Sequence, residues 1–352
     1  MKQVSSLVEY GFRRAFITLT AIICILLPVM NITVADVAFA DIKGQLGVPA
    51  YQVHWVTIAY VLGQIIIIPF SNLLSSKLGR RNYLVGAILL FTVCSFFCGN
   101  AASIYELTIF RFLQGLGGGG MLVLSHITIT ESWPVEKRAT SQAFVIFAML
   151  VGPALTAPFA GYLTDNYSWP FVFFANIPAG IIIGLLAFMS VRNVRYEKQE
   201  YASGVWQNTQ LRIGILLSFV AALGRVCSSF TDIPSLSQHT ASVINPVWLA
   251  IAVLTGTLLL TVFLMEKGMA MKYMIAAGLL LLLIACYLTY QGGSVDFLWR
   301  LTIRGIAVTS LFLSIDTFAL SQLEGKQIGQ GVALYNLALQ LAGGICMVLF
   351  PL

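Results

Sequence analysis

The stretch Val151-Gly-Pro-Ala-Leu-Thr-Ala-Pro-Phe-Ala-Gly161 places Pro153 and Pro158 inside a long apolar segment. Each proline removes a backbone donor and bends a helix, and hydrocarbon offers no substitute partner for the freed carbonyl. The small residues around the prolines allow a neighbouring helix to approach closely enough to tolerate the bend. The stretch therefore predicts a bent helix where membrane helices meet and move. A packing kink with no further role is the alternative.

The composition of the whole chain indicates an integral, all-α membrane protein. Its 352 residues are 58% hydrophobic and 10% charged, with a mean hydropathy of +0.87, whereas soluble domains carry about 25% charged residues. Transmembrane helices need about 20 apolar residues. Eleven such spans are predicted, the weakest being the one that Arg225 interrupts: 16–40, 54–75, 82–100, 104–130, 140–163, 170–191, 211–230, 247–265, 273–290, 298–320 and 327–349.

Basic residues are distributed very unequally between the two sides of the predicted membrane. With the N-terminus inside, the outer loops contain only Lys43, and four arginines lie within spans. This asymmetry predicts a cytoplasmic N-terminus and accounts for the net charge of +6 without a nucleic-acid partner. The inner segments contain Lys2, Arg13, Arg14, Lys77, Arg80, Arg81, Lys137, Arg138, Arg192, Arg195, Lys198, Arg212, Lys267, Lys272 and Lys326.

The pattern of reactive residues indicates neither an enzyme nor a cofactor protein. The cysteines all lie within predicted spans without the spacing of metal ligands, which is typical of small packing residues. They are Cys24, Cys94, Cys98, Cys227, Cys286 and Cys346. No nucleophile-base constellation, metal motif or nucleotide-binding loop is present, so we expect no cofactor. Transport by such a chain would draw on an ion gradient.

The two parts of the chain show a faint internal repeat on either side of a polar segment, 192–210. Arg111-Phe-Leu-Gln-Gly-Leu-Gly117 has an echo in Leu301-Thr-Ile-Arg-Gly-Ile-Ala307. Continuing without gaps places His126 over Asp316. Repeated bundles with a central site are a common architecture of transporters.

Arg111 lies about seven residues into the fourth span, where a buried guanidinium is costly and indicates function. Gln114, one turn later, is placed to share its site. An arginine that extends to the outer interface is the alternative. The glycine run that follows, Gly115 and Gly117 to Gly120, predicts close helix contact rather than a phosphate cradle, because no strand precedes it.

Asp36 and Asp316 are the aspartates inside predicted spans, and His126 is the histidine that lies away from the first residues of a span. A carboxyl group in a cavity of low dielectric can exchange protons near neutral pH, as proton coupling requires. The alternative for Asp36 is an acid in water at the outer helix end. For His126 and Asp316, both near inner ends of spans, we expect a wet interfacial position.

Ser76-Lys77-Leu78-Gly79-Arg80-Arg81 forms a tight basic turn between the second and third spans. Its cations can bind helix carbonyls and anionic lipid headgroups. Two interpretations of this turn remain: anchoring of this kind, or a gate whose contacts break and reform during transport.

These motifs together resemble the major facilitator superfamily, and within it the 14-helix drug:proton antiporters. The family's loop motif is similar to 72–81, its helix-four motif to 111–117 and its helix-five antiporter motif to 152–161. Its entry to helix six is similar to Thr164-Asp-Asn-Tyr-Ser-Trp169 with Phe173-Phe-Ala-Asn-Ile-Pro-Ala-Gly180. The match covers about residues 15–195.

Three departures from the family stand out. The first helix carries Asn31 where the family usually has an acid, and Asp36 where it has an asparagine. Ser76 replaces the acid of the loop motif. Only three spans follow the region that would be the extra helix pair of this family, so we expect an incomplete C-terminal bundle, which a partner chain would complete.

The resemblance implies four regions: a complete six-helix bundle (1–191), a cytoplasmic linker (192–210), an inserted helix pair (211–265) and a partial second bundle (266–352). It implies proton-coupled efflux of amphipathic or drug-like compounds across a bacterial inner membrane. A non-transporting protein that retains one bundle and an uptake symporter are the alternatives.

The resemblance also assigns roles to residues. Arg111 and Asp36 would handle the proton, and the others fall into three groups. The substrate or bundle interface would contain Asn31, Gln114, Gly152, Pro153, Pro158 and Gly161. The gating loop would contain Lys77, Gly79, Arg80 and Arg81. Polar residues in the membrane without an assigned role are His126, Arg304 and Asp316.

Overall fold

The computed structural model describes residues 8–194, 205–230, 244–290 and 297–349, and these parts are almost entirely helical. Two short 3-10 turns, Val135–Lys137 and Val205–Gln207, precede longer helices. The helices are α1 Gly11–Val37, α2 Phe39–Leu46, α3 Ala50–Leu78, α4 Arg80–Gly99, α5 Ile104–Ser132, α6 Arg138–Asn166, α7 Pro170–Phe174, α8 Asn176–Ser190, α9 Thr209–Phe230, α10 Ile244–Glu266, α11 Met271–Tyr290, α12 Phe297–Leu320 and α13 Lys326–Leu349.

The predicted fold class, an all-α bundle that spans the membrane many times, is confirmed. Within the described ranges, ten helical segments are long and apolar enough to cross a bilayer, and the apolar part of α9, Thr209–Gly224, is shorter. Each predicted span has its helix. The polar linker lies largely outside the described residues, as do the loop at 231–243 and the side chain of Arg225.

The helices form two halves, α1 to α8 and α9 to α13. In the first half, α5 lies at the centre and packs against α1, α3 and α4. In the second half, α12 packs against α9, α10 and α11, while α13 packs against α9. The halves meet where α13 lies on α3 and where α10 and α12 lie on α6. The division into four regions stays a prediction, although the helices at 209–230 and 244–266 both pack within the second half.

One end of the bundle contains most of the basic turns, and we call it the basic end. Here α3 turns into α4, α5 into α6, α10 into α11 and α12 into α13. Hydrogen bonds between described residues cross from one half to the other at this end. Arg138 Nη2 donates to the carbonyl of Leu323 (3.1 Å), and Thr140 Oγ1 donates to Glu266 Oε1 (2.9 Å).

The glycine run of α5 provides close helix contacts, as its sequence predicts. Gly115 meets Gly63 of α3, and a Cβ atom at Gly115 would collide with the backbone oxygen of Tyr60. On another face, a Cβ atom at Gly117 would lie 2.7 Å from the carbonyl oxygen of Ala87. Since backbone atoms are on the other side of both contacts, side-chain rotation cannot relieve them.

Replacing Gly115 with alanine is expected to destabilise the bundle by about 1–3 kcal/mol or more, because overpacking forces α3 and α5 apart. The midpoint of thermal unfolding in detergent measures the loss. Gly86→Ala on α4 is the matched control, since a Cβ atom there meets open space. Alanine should leave the stability of that helix equal or slightly higher. Equal midpoints for both variants would show that α3 and α5 are less tightly packed than described.

Candidate functional site

Arg111 lies at the centre of the first half and is completely buried, at 0% exposure. Its Nη2 donates to the carbonyl of Asn31 in α1 (2.8 Å), and its Nη1 donates to Gln114 Oε1 (2.8 Å). Its Nε contacts the carbonyl of Val56 in α3 at 3.4 Å. The guanidinium therefore does not extend to the interface, and its planar fork connects α1, α3 and α5.

Two aromatic rings lie close to this guanidinium. The Cζ atom of Arg111 lies 4.1 Å from the ring centroid of Tyr60 and 5.6 Å from that of Phe173. A cation over a desolvated ring gains roughly 2 kcal/mol. Tyr60 is itself oriented by its hydroxyl, which donates to the carbonyl of Pro28 inside α1 (2.8 Å).

Polar side chains extend the arginine site into the neighbouring helices. Gln114 Nε2 donates to Ser95 Oγ of α4 (2.5 Å). The amides of Asn31 and Asn176 donate to each other (3.0 and 2.9 Å) and join α1 to α8. Asn31 and Gln114, predicted at the substrate or bundle interface, are thus both buried within the first half.

Asp36 occupies the end of α1 that lies away from the basic end and is partly buried. Its Oδ1 accepts a hydrogen bond from Thr57 Oγ1 of α3 (2.9 Å). Val56, adjacent to Thr57, presents its carbonyl to Arg111. Within the described chain, no direct ion pair joins Asp36 to Arg111. Asp36 and Arg111 thus contact adjacent residues of α3, Thr57 and Val56. The two side chains also interact electrostatically.

The proline segment of α6 packs against α1. A Cβ atom at Gly152 would lie 3.1 Å from Val29, and Thr156 Oγ1 donates to the carbonyl of Met30 (3.2 Å). Pro153, Pro158 and Gly161 are half-buried. The preceding part of α6 contacts the second half through Ile146 and its neighbours Ala143, Phe147 and Leu150.

The basic turn is anchored within the first half. Gly79 has a positive φ of 89° and lies against Asn193, where a Cβ atom would collide with its side chain. Arg80 forms a buried ion pair with Glu131 of α5, in which Nη2 donates to Oε1 at 2.7 Å. Arg81 lies over the ring of Phe188 (4.5 Å), and Lys77 is exposed. Glu131 therefore supplies an acid beside this turn, where Ser76 replaces the acid of the motif.

His126 and Asp316 are brought together between the halves, and the expected wet position of both is wrong. They are 1% and 0% exposed, and His126 Nε2 lies 3.8 Å from Asp316 Oδ2. His126 also contacts Gln142 of α6 (2.8 Å) and Asn336 of α13 (2.9 Å). These four residues are called the His126 cluster below. The burial results because helices of both halves cover this part of α5.

Several residues of these sites were not identified from the sequence. Gln142 and Asn336 of the His126 cluster, Glu131 beside the basic turn and Thr57 beside Asp36 carry no motif, and only their contacts reveal them. Arg304, which was identified, is half-buried on α12. In the described ranges, histidine, cysteine, aspartate and glutamate form no group able to hold a metal ion.

Comparison with known proteins establishes the family. The model of the Major Facilitator Superfamily matches residues 21–347. The chain therefore belongs to this superfamily of membrane transport proteins, which are not enzymes.

Individual relatives and structures agree with this assignment. Proteins of Salmonella paratyphi B and Salmonella typhi named "Putative multidrug resistance protein MdtD" are each 31% identical over 172 residues, which is 49% of this chain and 37% of theirs. The match thus spans little more than a third of these relatives. The proton:xylose symporter XylE superposes with a TM-score of 0.72 and 15% identity, covering 96% of this chain and 88% of that one. The Escherichia coli fucose:proton symporter FucP gives 0.74 and 15%, covering 95% and 91%.

Proposed function

We propose that this transporter exports amphipathic or drug-like compounds in exchange for protons, by alternating access between its two halves. Two lines of support favour export. The MdtD relatives are named for multidrug resistance, and the chain carries the helix-five segment 152–161, which resembles the antiporter motif. Protons would supply the energy without a cofactor. The chain would lie in a bacterial inner membrane with its N-terminus in the cytoplasm.

The observation that carries the proposal is the buried Arg111, which binds carbonyls of α1 and α3 and Gln114 on its own helix. A buried cation of this kind is costly, and transporters place such groups on ion pathways. Asp36 lies on the same α1–α3 contact and is the carboxyl group that we assign to proton exchange. Protonation of Asp36 would alter the electrostatic field at Arg111. This change would alter the strength of the hydrogen bond from Arg111 to the carbonyl of Asn31 in α1.

Proton-driven uptake is the second candidate, because both superposed structures are proton symporters by name. At 15% identity they support the fold alone, so they do not determine the direction of transport. The direction of substrate movement separates the two candidates, because efflux consumes an inward proton gradient whereas a symporter accumulates substrate with it.

The test uses the full chain in proteoliposomes loaded with a fluorescent amphipathic cation at equal concentration on both sides. An imposed pH gradient of one unit should move the dye against its concentration gradient and in the direction opposite to the protons. Collapse of the gradient with an ionophore is the control and should stop the movement. Movement with the protons would favour uptake. The absence of gradient-dependent movement for a panel of amphipathic compounds would contradict transport by this chain.

A further inference from the structure

The hydrogen bonds of the His126 cluster determine the protonation of its imidazole. Asn336 Nδ2 donates to the carbonyl of Val332 (2.8 Å) within α13. The amide nitrogen is therefore the atom that faces His126 Nδ1. Because an amide nitrogen only donates, Nδ1 must accept and carries no proton.

The other imidazole nitrogen is determined in the same way. Gln142 Nε2 donates to Thr130 Oγ1 (3.1 Å), whose own proton is used by the carbonyl of His126 (2.8 Å). Gln142 therefore presents its oxygen to His126 Nε2, which must donate. The imidazole between the halves is neutral, with its proton on Nε2. A second proton on Nδ1 would break the bond to Asn336.

Asp316 completes the cluster from the second half. Among the described residues, neither of its carboxyl oxygens makes a hydrogen bond, and its side chain is fully buried 3.8 Å from His126 Nε2. An ionised carboxylate without hydrogen bonds in such a position is very costly. The carboxyl group in this closed arrangement therefore carries its proton.

The surrounding charges do not change this assignment. Arg138 of α6 interacts electrostatically with His126 and Asp316, but its Nη1 and Nη2 donate to the carbonyls of Thr130 and Leu323 rather than to the cluster. Glu324, between α12 and α13, interacts electrostatically with Arg138. Tyr335 of α13 is fully buried and interacts electrostatically with Asp316. These are the titratable and charged groups that the described helices direct towards the cluster.

We propose that His126 and Asp316 form a proton-binding site between the two halves, which holds one proton on Asp316 while the basic end is closed and releases it to water when this end opens. This inference rests on the proposed function, since it assigns the site to the transport cycle. The site is distinct from the one at Arg111 and Asp36.

The numbers of bound protons predict how opening depends on pH. A wetted aspartate and a wetted histidine have pKa values of about 3.9 and 6.5. Above pH 6.5 the open site holds no proton and the closed site holds one, so opening should be favoured about tenfold per pH unit as the pH rises. Between about pH 4 and 6.5 both states hold one proton, and opening should be independent of pH.

Spin labels on the two halves measure this opening directly. Cysteines at the exposed positions Val135 and Met269, introduced into a chain whose native cysteines are replaced, report the distance across the basic end in lipid nanodiscs. The wild-type site should give two distances, with the longer one constant in population between about pH 4 and 6.5 and gaining population above about pH 6.5. This readout requires no substrate, so it stands or fails independently of the transport assay.

Two variants test the direction in which opening depends on pH. In Asp316→Asn the closed site holds no titratable proton, so opening should be favoured as the pH falls below 6.5, which is the reverse of the wild-type trend. In His126→Gln the rise with pH should begin near pH 4 instead. Asp165→Asn, at an exposed acid far from the cluster, should retain the wild-type profile. A wild-type distance that does not respond to pH, or an Asp316→Asn profile with the wild-type sign, would overturn the proposal.

Discussion

Replacing Arg111 with lysine is expected to reduce proton-driven dye efflux in proteoliposomes by about 100-fold or more. Lysine retains the charge, but its compact ammonium group cannot contact Asn31, Val56 and Gln114 at once, as the planar guanidinium does. Each lost hydrogen bond to a charged group is worth about 1.5–3 kcal/mol, and 1.4 kcal/mol corresponds to a factor of ten. Arg111→Ala should remove transport completely, because it removes all three contacts and the charge and leaves the amide oxygen of Gln114 without this donor.

The matched control for this prediction is Arg212→Lys on α9. Arg212 is exposed, and its Nη2 donates to Thr209 of its own helix (3.3 Å). Its variant should transport like the wild-type chain. The thermal unfolding midpoint of each variant separates lost transport from lost folding. Near wild-type efflux by a folded Arg111→Lys chain would show that the geometry of the guanidinium is unimportant and would remove the main support of the proposed function.

The membrane-spanning helices are the part of this fold that the sequence predicts best. Hydrocarbon requires every backbone group to be satisfied within the segment, so each apolar run of sufficient length has to become a helix. Smaller features depend on packing and carry no comparable signal. The short helix Phe39–Leu46 and the division of the span at 170–191 into α7 and α8 were therefore not predicted.

The sequence predicts those sites that contain a residue whose placement inside a membrane span costs free energy. A buried arginine or a proline pair is conspicuous in an apolar run, so Arg111 and the 151–161 segment were identified. Their partners are ordinary residues from distant parts of the chain. Asn336 lies 210 positions from His126, and no local pattern connects the two. The alignment of His126 with Asp316 in the internal repeat was the one hint that these positions are related.

Burial was the property that the sequence predicted least well. His126 and Asp316 lie near the ends of their helices, where water is normally accessible. They are dry because α13 lies on α3 and α12 lies on α6 at the basic end. Contacts between halves of one chain depend on the conformation that the transporter has adopted. The distance of a residue from its helix end therefore cannot predict these contacts.

Asp36→Asn is expected to uncouple transport from the proton gradient while substrate still crosses the membrane. Asparagine can keep the hydrogen bond from Thr57 but cannot take up and release a proton. With one proton exchanged per substrate, a gradient of one pH unit sustains a tenfold concentration ratio of dye, since 1.4 kcal/mol corresponds to a factor of ten. The ratio should fall to about one in Asp36→Asn, whereas exchange of labelled for unlabelled dye at equal pH should persist. Asp41→Asn, at a neighbouring acid in α2, is the matched control and should keep the tenfold ratio. If Asp36→Asn also sustains it, the proton is carried elsewhere, and the His126 cluster becomes the remaining candidate for coupling.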